Sequence, residues 1–421
     1  MEPPKYFGVI ITAVLFLVVV CADPDCQVFD EKDVVCISGN EDYVLRRGLV
    51  SDITQATRIT LRNCGITDIE DSLAFGNVYY LQYIDLSENK LSSLKPGVLN
   101  GNGLVKHLNL SHNWLTTVPA DLFLQKPNLE VLDLKANRLN SLPSDVFVPL
   151  RKLKHIDLSY NDFLGKDMSS YLFTKTRKIK FMDLSKNDMS DTPENLLNAL
   201  QEIDFLILDR CSLKEVPLFA TKANLRTMTH LSLSTNQITN IDQPRTFMNM
   251  ENLVILNMAE NLIENVAANA FIYLKSVQEI NLRNNRLKIL PDGFFRNLAH
   301  LRNVDLSHNL INHVPLNTFR GTALEELNIS SNRFSYLDAY FCVQLKSAGI
   351  RISKLYVDDN PWQCACLIEI LNEMKSYGIK YSQSKYNGQH AVCVTTKTFI
   401  CKRHELDNQQ FVELFDNTIK K

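Results

Sequence analysis

The chain is built on a repeat. Leu81–Leu91 reads LQYIDLSENKL, Leu129–Leu139 reads LEVLDLKANRL and Leu301–Ile311 reads LRNVDLSHNLI. All three fit LxxLxLxxNxL, and the pattern recurs every ~24 residues. Thirteen registered copies occur. Their ninth position falls at Cys64, Asn89, Asn113, Asn137, Asn161, Asn187, Cys211, Asn236, Asn261, Asn285, Asn309, Asn332 and Asn360. The first copy, from Ala56, is a weak match, and the last spans Ile352–Trp362. A chain of 421 residues exceeds one ordinary core, and a fixed period resolves the problem: each unit touches only its neighbours.

The pattern predicts its own geometry. Alternating Leu and polar residues in the LxL segment make a short strand, with the Leu side chains inward. One unit cannot bury them, so units stack and the strands form a parallel sheet on the concave face. The Asn at the ninth position turns inward where the strand ends, and its amide is expected to serve backbone groups of its own and the adjacent turn. Losing such a partner costs roughly 1–3 kcal/mol. Ten residues after this slot, Phe123, Phe147, Phe271, Phe295 and Phe319 predict an aromatic spine beneath the convex side. The expected fold is α/β: a horseshoe solenoid of about thirteen turns.

The N-terminus reads as a leader. Lys5 precedes an apolar run, Phe7–Val20, and Val20-Cys21-Ala22 offers small residues for cleavage, so the mature chain is expected to begin at Asp23. No later segment is apolar enough to span a bilayer, and Arg403–Lys421 lacks the apolar tail of a glycolipid anchor signal. A net charge of -2 without a basic run excludes nucleic acid as an expected partner. The export signal implies an oxidising compartment, where disulfides persist.

The terminal units must be capped. Cys26 and Cys36 precede the repeats at a spacing that suits a disulfide. After them come NPWQCAC (Asn360–Cys366), an amphipathic stretch (Leu367–Tyr377), Cys393 and Cys401. The expected divisions are a leader over 1–22, an N-terminal cap over 23–52, the array over 53–360, and a C-terminal cap with a short polar tail over 361–421. Zinc is the rival reading of the last cluster, but Cys-x-Cys fits its ligand spacings poorly and no nearby His completes a set. No metal or other cofactor is expected. Cys64 and Cys211, in the Asn slot, are expected to be buried and inert. Cys342, ten after Asn332, is either buried in the spine or free to bridge a homodimer.

Repeats and caps together, from about Cys26 to Cys401, resemble extracellular leucine-rich repeat proteins, including the ectodomains of Toll-type receptors. The ending NPWQCAC with AVCVTTKTFIC (Ala391–Cys401) most resembles secreted insect members. Mosquito leucine-rich immune proteins are also similar, though many carry a C-terminal coiled coil, and some twenty residues after Cys401 are too few for one. The resemblance implies pairing of Cys364 with Cys393 and Cys366 with Cys401. It also implies innate immunity in haemolymph, with a microbial glycolipid such as lipopolysaccharide or a partner immune protein as ligand. A secreted adhesive or matrix protein without an immune role is the alternative.

The third, fifth and seventh positions of the pattern face outward on the concave sheet. Repeats four to nine place Val131, His155, Phe181, Phe205, His230 and Ile255 at the third position, and Ile207 at the fifth beside Phe205. An aligned apolar stripe marks either a binding surface or side chains that only pack on one another. Asp133, Asp157 and Asp183 flank it, Asp183 counted with the candidate ligand contacts. Nearby cations are fewer: Lys135, Lys154, Lys180, Lys186 and Arg210. Two sequons, at Asn109 and Asn328, occupy fifth positions; sugar there would leave the face open between repeats four and eleven. The nine histidines form no nucleophile elbow, zinc motif or phosphate loop, and no catalytic residue is expected.

Overall fold

The computed structural model describes residues 25–29, 32–37, 42–387, 391–395, 400–403 and 405–418. The leader over 1–22 and the cleavage point at Asp23 lie outside the described residues. Thirteen short parallel strands, from Arg58–Thr60 to Lys354–Tyr356, run side by side in one sheet, one per repeat. The weak first copy and the merged last copy both form their strands. An antiparallel hairpin, β1 (Asp25–Phe29) and β2 (Asp33–Ile37), extends the sheet at its N-terminal edge, where β2 pairs in parallel with Arg58–Thr60.

Asparagine holds the turns together by one repeated arrangement. Asn113 Oδ1 accepts the N–H of Leu91 in the preceding repeat at 3.1 Å. Its Nδ2 donates back to the Leu86 carbonyl of that repeat at 2.9 Å and to the Leu110 and Ser111 carbonyls of its own. The same bonds recur at Asn137, Asn161 and Asn309. The two cysteines in the slot keep half of it: Cys64 Sγ donates to the Cys36 carbonyl at 3.2 Å, and Cys211 Sγ to the Leu184 carbonyl at 3.3 Å. The residue before the slot is left-handed in every repeat, from Asn63 to Asp359, and none is glycine. Such a backbone is unfavourable for most residues. In the first twelve repeats it is held because that residue's N–H bonds the next repeat, as Glu88 does to the Ser111 carbonyl at 3.0 Å.

Behind the sheet lies the aromatic spine. Phe123, Phe147 and Phe173 are in ring contact in sequence, as are Phe247, Phe271, Phe295 and Phe319, with centroids 5.7–6.0 Å apart. Phe173 and Phe247 depart from the ten-residue spacing because their repeats place the turn one or two residues later. The convex connections are mostly turns and short 3-10 segments; among the described residues, α-helix is confined to the C-terminal part. There α1 (Phe341–Ser347) takes the convex side of the twelfth repeat, and α2 (Cys364–Ser376) closes the array.

Three disulfides join Cys26 to Cys36, Cys364 to Cys393 and Cys366 to Cys401. Trp362 is buried over Phe334 at a centroid distance of 6.2 Å, and its Nε1 donates to the Val357 carbonyl. The stretch read as a polar tail contains a third helix, α3 (Glu405–Thr418). Phe411 and Phe415, one turn apart, are buried, and Asp416 pairs with Arg333 at 2.5 Å. The apolar pair is too sparse to stand out in a charged segment.

Cys64, Cys211 and Cys342 are unpaired and buried, and burial pushes their thiols up to about 11, 12 and 12. Alkylation of the native protein should spare all three, whereas unfolding without reduction should expose them; peptide mapping reads the difference. Reaction of Cys342 in the folded protein would contradict its burial.

Lys126 is wholly buried on the convex side, with its Nζ donating to the Leu99 carbonyl. Asn102 occupies the matching position one repeat earlier and Leu150 one repeat later. Desolvation lowers the Lys126 ammonium from 10.5 to about 8. Below pH 8 both the folded and unfolded states hold the proton, so the burial cost is fully present at neutral pH. As pH rises from 8 toward 10.5 the folded state loses its proton first and the cost is relieved. Lys126→Met is expected to be the more stable protein at neutral pH, with an advantage that shrinks by up to roughly 3 kcal/mol across that range. Urea unfolding of both proteins checks this; a pH-independent difference would contradict it.

Candidate functional site

Parallel pairing aligns the third position of every repeat into a column across the concave face. His155, Phe181, Phe205 and His230 are direct neighbours, flanked by Val131 and Ile255. Six strands spaced as in any sheet carry this stretch over about 24 Å. The rings lie against one another. His155 and Phe181 are stacked at 4.1 Å and 1°, Phe181 meets Phe205 at 6.2 Å, and Phe205 stacks on His230 at 4.1 Å. Each such contact is worth ~0.5–1.5 kcal/mol. Ring faces are therefore spent on the ribbon itself, and ring edges are presented to solvent. Phe205 is 37% exposed and its neighbours are half-buried. The side chains pack on one another and stay accessible together. Burial holds the His155 and His230 imidazoles below their ordinary range, so both are neutral at neutral pH.

The ribbon is longer than the stripe read from sequence. Arg58 lies 3.9 Å over the Tyr83 ring, and Tyr83 stacks on His107 at 4.5 Å. These residues occupy the same column in repeats one to three, so reading the third position from the first repeat would have found them. Beyond Ile255 the column changes character to Glu279, Asn303, Glu326 and Lys354. There Glu279, Asp305 and Glu326 line a shallow concavity with the amides of Asn281, Asn303 and Asn328. Lys354 Nζ pairs with Glu326 at 2.7 Å. The concave face thus has an aromatic half and an acidic part.

The fifth-position carboxylates have an internal task. Asp183 Oδ1 accepts the Ser185 N–H at 2.8 Å, Asp157 that of Ser159 at 2.9 Å, and Asp133 that of Lys135 at 2.9 Å. These bonds turn the chain at the end of each strand. Burial raises Asp133 and Asp183 above the usual carboxylate range. Ile207, in the same column, cannot accept. In its place the Asp209 N–H donates to Ser185 Oγ at 3.3 Å, and Asp209 Oδ1 serves Ser232 Oγ and Ser234 N–H of the next repeat. Ile207 is half-buried beside the ribbon.

Both sequon asparagines do what the aspartates do. Asn109 Oδ1 accepts the Ser111 N–H and hydroxyl at 2.9 and 2.7 Å, and Asn328 Oδ1 those of Ser330 at 3.1 and 2.7 Å. Of the expected cations, Lys154 pairs with Glu130 at 2.7 Å, and Lys135 and Lys186 lie 5.4 and 5.9 Å from the Tyr160 ring centroid. Among the described residues no group of three His, Cys, Asp or Glu side chains could hold a metal ion, and no helix is long and apolar enough to cross a membrane.

Four segments, in two overlapping pairs, match the model of the family described as leucine rich repeat: residues 54–115 and 103–163, and 226–287 and 275–334, together just over half of the chain. Nephrocan of Mus musculus is 27% identical over 177 residues, covering 37% of this chain and 33% of that protein. Keratocan of Bos taurus is 31% identical over 162 residues, covering 38% and 42%. The chain thus spans about a third of the length of the curated relatives it matches. Among solved structures, a leucine-rich repeat protein of Leptospira interrogans superposes with a TM-score of 0.65 at 22% identity, over 79% of this chain and 85% of that one. The leucine-rich repeat domain of APL1 gives 0.63 at 20%, over 85% and 89%. These two likenesses concern the fold.

The bond from Asp183 to Ser185 predicts the behaviour of its variants. Asp183→Asn keeps the acceptor, as Asn109 does in its own repeat, and removes a half-buried charge. Because the folded carboxyl lies above its unfolded value, the charge costs stability at neutral pH and the cost fades in acid. Asp183→Asn should therefore match or exceed wild-type stability at neutral pH and lose that edge as the carboxyl protonates. Asp183→Ala should lose on the order of 1 kcal/mol. Thermal melts at neutral and acid pH decide; equal loss in both variants would refute the acceptor role.

Proposed function

The chain belongs to the leucine rich repeat family, and we propose that it is a secreted, non-enzymatic recognition protein that captures a protein partner on the concave strands of repeats four to nine. The observation that carries this reading is the stacked ribbon of His155, Phe181, Phe205 and His230, half-exposed on a rigid sheet. Aromatic anchors already held in place lose little freedom on binding, which favours affinity. Ribbon and flanks form a patch of the kind that monomers rarely leave exposed without use. The candidate contacts are Val131, His155, Phe181, Phe205, Ile207, His230 and Ile255. Asp183 contributes mainly by holding its strand end.

Secretion is supported by the apolar leader of the sequence and by the three disulfides. A role in innate immunity rests on the resemblance of the caps to secreted insect members. Between the ligands that resemblance implies, a partner protein is favoured over lipopolysaccharide. The ribbon is bordered by Asp133 and Asp157 and followed by Glu279 and Glu326, which repel phosphate and attract a basic rim. Sugar on Asn109 and Asn328 would frame this surface from both ends.

The test pairs Phe181→Ser with Phe205→Ser in a protein whose melting curve shows it folded. Partner protein captured from the source organism's body fluid by wild type should be lost, or weakened by at least about tenfold. Lipopolysaccharide added as competitor, at two salt concentrations, should leave capture unchanged. Undiminished capture by the double variant would overturn the concave assignment, and salt-sensitive competition by lipopolysaccharide would favour the glycolipid.

A further inference from the structure

At the C-terminal end of the solenoid a cavity of about 450 Å³ opens between α1, the turn that follows it and the end of α2. Its apolar surface comes from half-buried Ile352 and the exposed Tyr377 ring, with Ile350 and Ile379 buried beneath them. Its rim carries two exposed cations, Lys346 and Arg351. The turn is made by Gly349 at φ +85°, and nothing lies within 4 Å of where a Cβ would stand, so the mouth is open on that side.

The packing of the two helices explains why the rim is cationic. They meet in two rungs. At the first, the Cys342 N–H donates to Glu373 Oε2 at 2.9 Å. One turn along each helix, Lys346 Nζ sits 4.8 Å from the Tyr377 ring centroid. Glu373 is thus engaged a full turn away from the ammonium group. Among the described residues no carboxylate lines the cavity, and neither Lys346 nor Arg351 enters an ion pair. Two cations therefore line one cavity beside Ile352 and the Tyr377 ring, with no counter-charge among the described residues that line it.

We propose that this cavity binds a small amphipathic carboxylate, with its alkyl chain against Ile352 and the Tyr377 ring, above buried Ile350 and Ile379, and its carboxylate paired with Lys346 and Arg351. The volume lies within the ~300–1,000 Å³ usual for small-ligand sites. A guanidinium matches a carboxylate in bidentate fashion, and the ammonium is already held in place by the Tyr377 ring. The site is independent of the concave ribbon, because its residues belong to α1, the turn after it and the residues that follow α2, and not to the strands of repeats four to nine.

Titration calorimetry of the purified full chain with decanoate, below its micelle concentration, tests this. One saturable site is expected, with 1-decanol binding at least about tenfold more weakly. Lys346→Gln with Arg351→Gln, both exposed and so tolerated by the fold, should cost decanoate at least about tenfold and leave decanol unchanged. Ile350→Trp should fill the floor and abolish both. Phe181→Ser with Phe205→Ser should bind decanoate as wild type does. Absence of saturable binding, equal affinity for decanol, or a double glutamine variant that binds decanoate normally would each overturn the proposal.

Discussion

The structure hangs on a buried amide. Each ladder Asn bonds two repeats at once: its oxygen takes an N–H of the preceding turn, and its nitrogen serves carbonyls of both. These backbone groups lie where a strand has ended and no sheet partner remains, deep enough to exclude water. Leaving one unpaired costs roughly 1–3 kcal/mol, so a side chain with both a donor and an acceptor is required. Cysteine at positions 64 and 211 supplies only the donor; the N–H that an Asn at 211 would take, that of Met189, is accepted by the Cys211 backbone carbonyl at 3.0 Å instead. The ladder tolerates the substitution at 211 because a backbone carbonyl takes the place of the lost side-chain acceptor.

A sheet held in this register has consequences for its solvent face. Every third-position residue stands opposite the third-position residue of the next repeat, so similar residues at that position become a continuous surface. Rings stack because the strand spacing brings them to contact. The fifth column shows the opposite case: side chains that face the concave side in the pattern are turned to the strand end. Asp157 accepts both the N–H and the hydroxyl of Ser159. Position on a face therefore does not by itself make a residue part of a binding surface. The same register places the aromatic and acidic parts of the third column in series, and this polarity carries the preference for a protein partner.

Much of this was legible in the repeat. Thirteen ladder positions predict thirteen strands, and thirteen parallel strands form. Other features lay outside the pattern. The spine positions of Phe173 and Phe247 drift because repeat lengths vary, and packing selects the ring that reaches the interior, whatever its count from the Asn. The left-handed residue before each slot shares no side-chain type, from Ala136 to Tyr160 to Arg210, because a backbone bond to the next repeat imposes it. Helix α3 hides in a polar segment, where among the described residues its buried side chains include Phe411 and Phe415 and Asp416 pairs with Arg333.

What the sequence alone determined is the architecture of the array: period, strand register, inward leucines and ladder all follow from residue spacing, since each is a contact between equivalent positions of adjacent repeats, while the C-terminal cap pairing came from the resemblance. The tertiary structure decided what lies between non-equivalent positions. It turned the aspartates from the stripe into strand-end acceptors, joined Arg58, Tyr83 and His107 to the ribbon, and set Lys346 and Arg351 at the edge of one cavity. Those contacts depend on rotamers, on the packing of α1 against α2 and on where chain ends return, and a repeating pattern does not encode them.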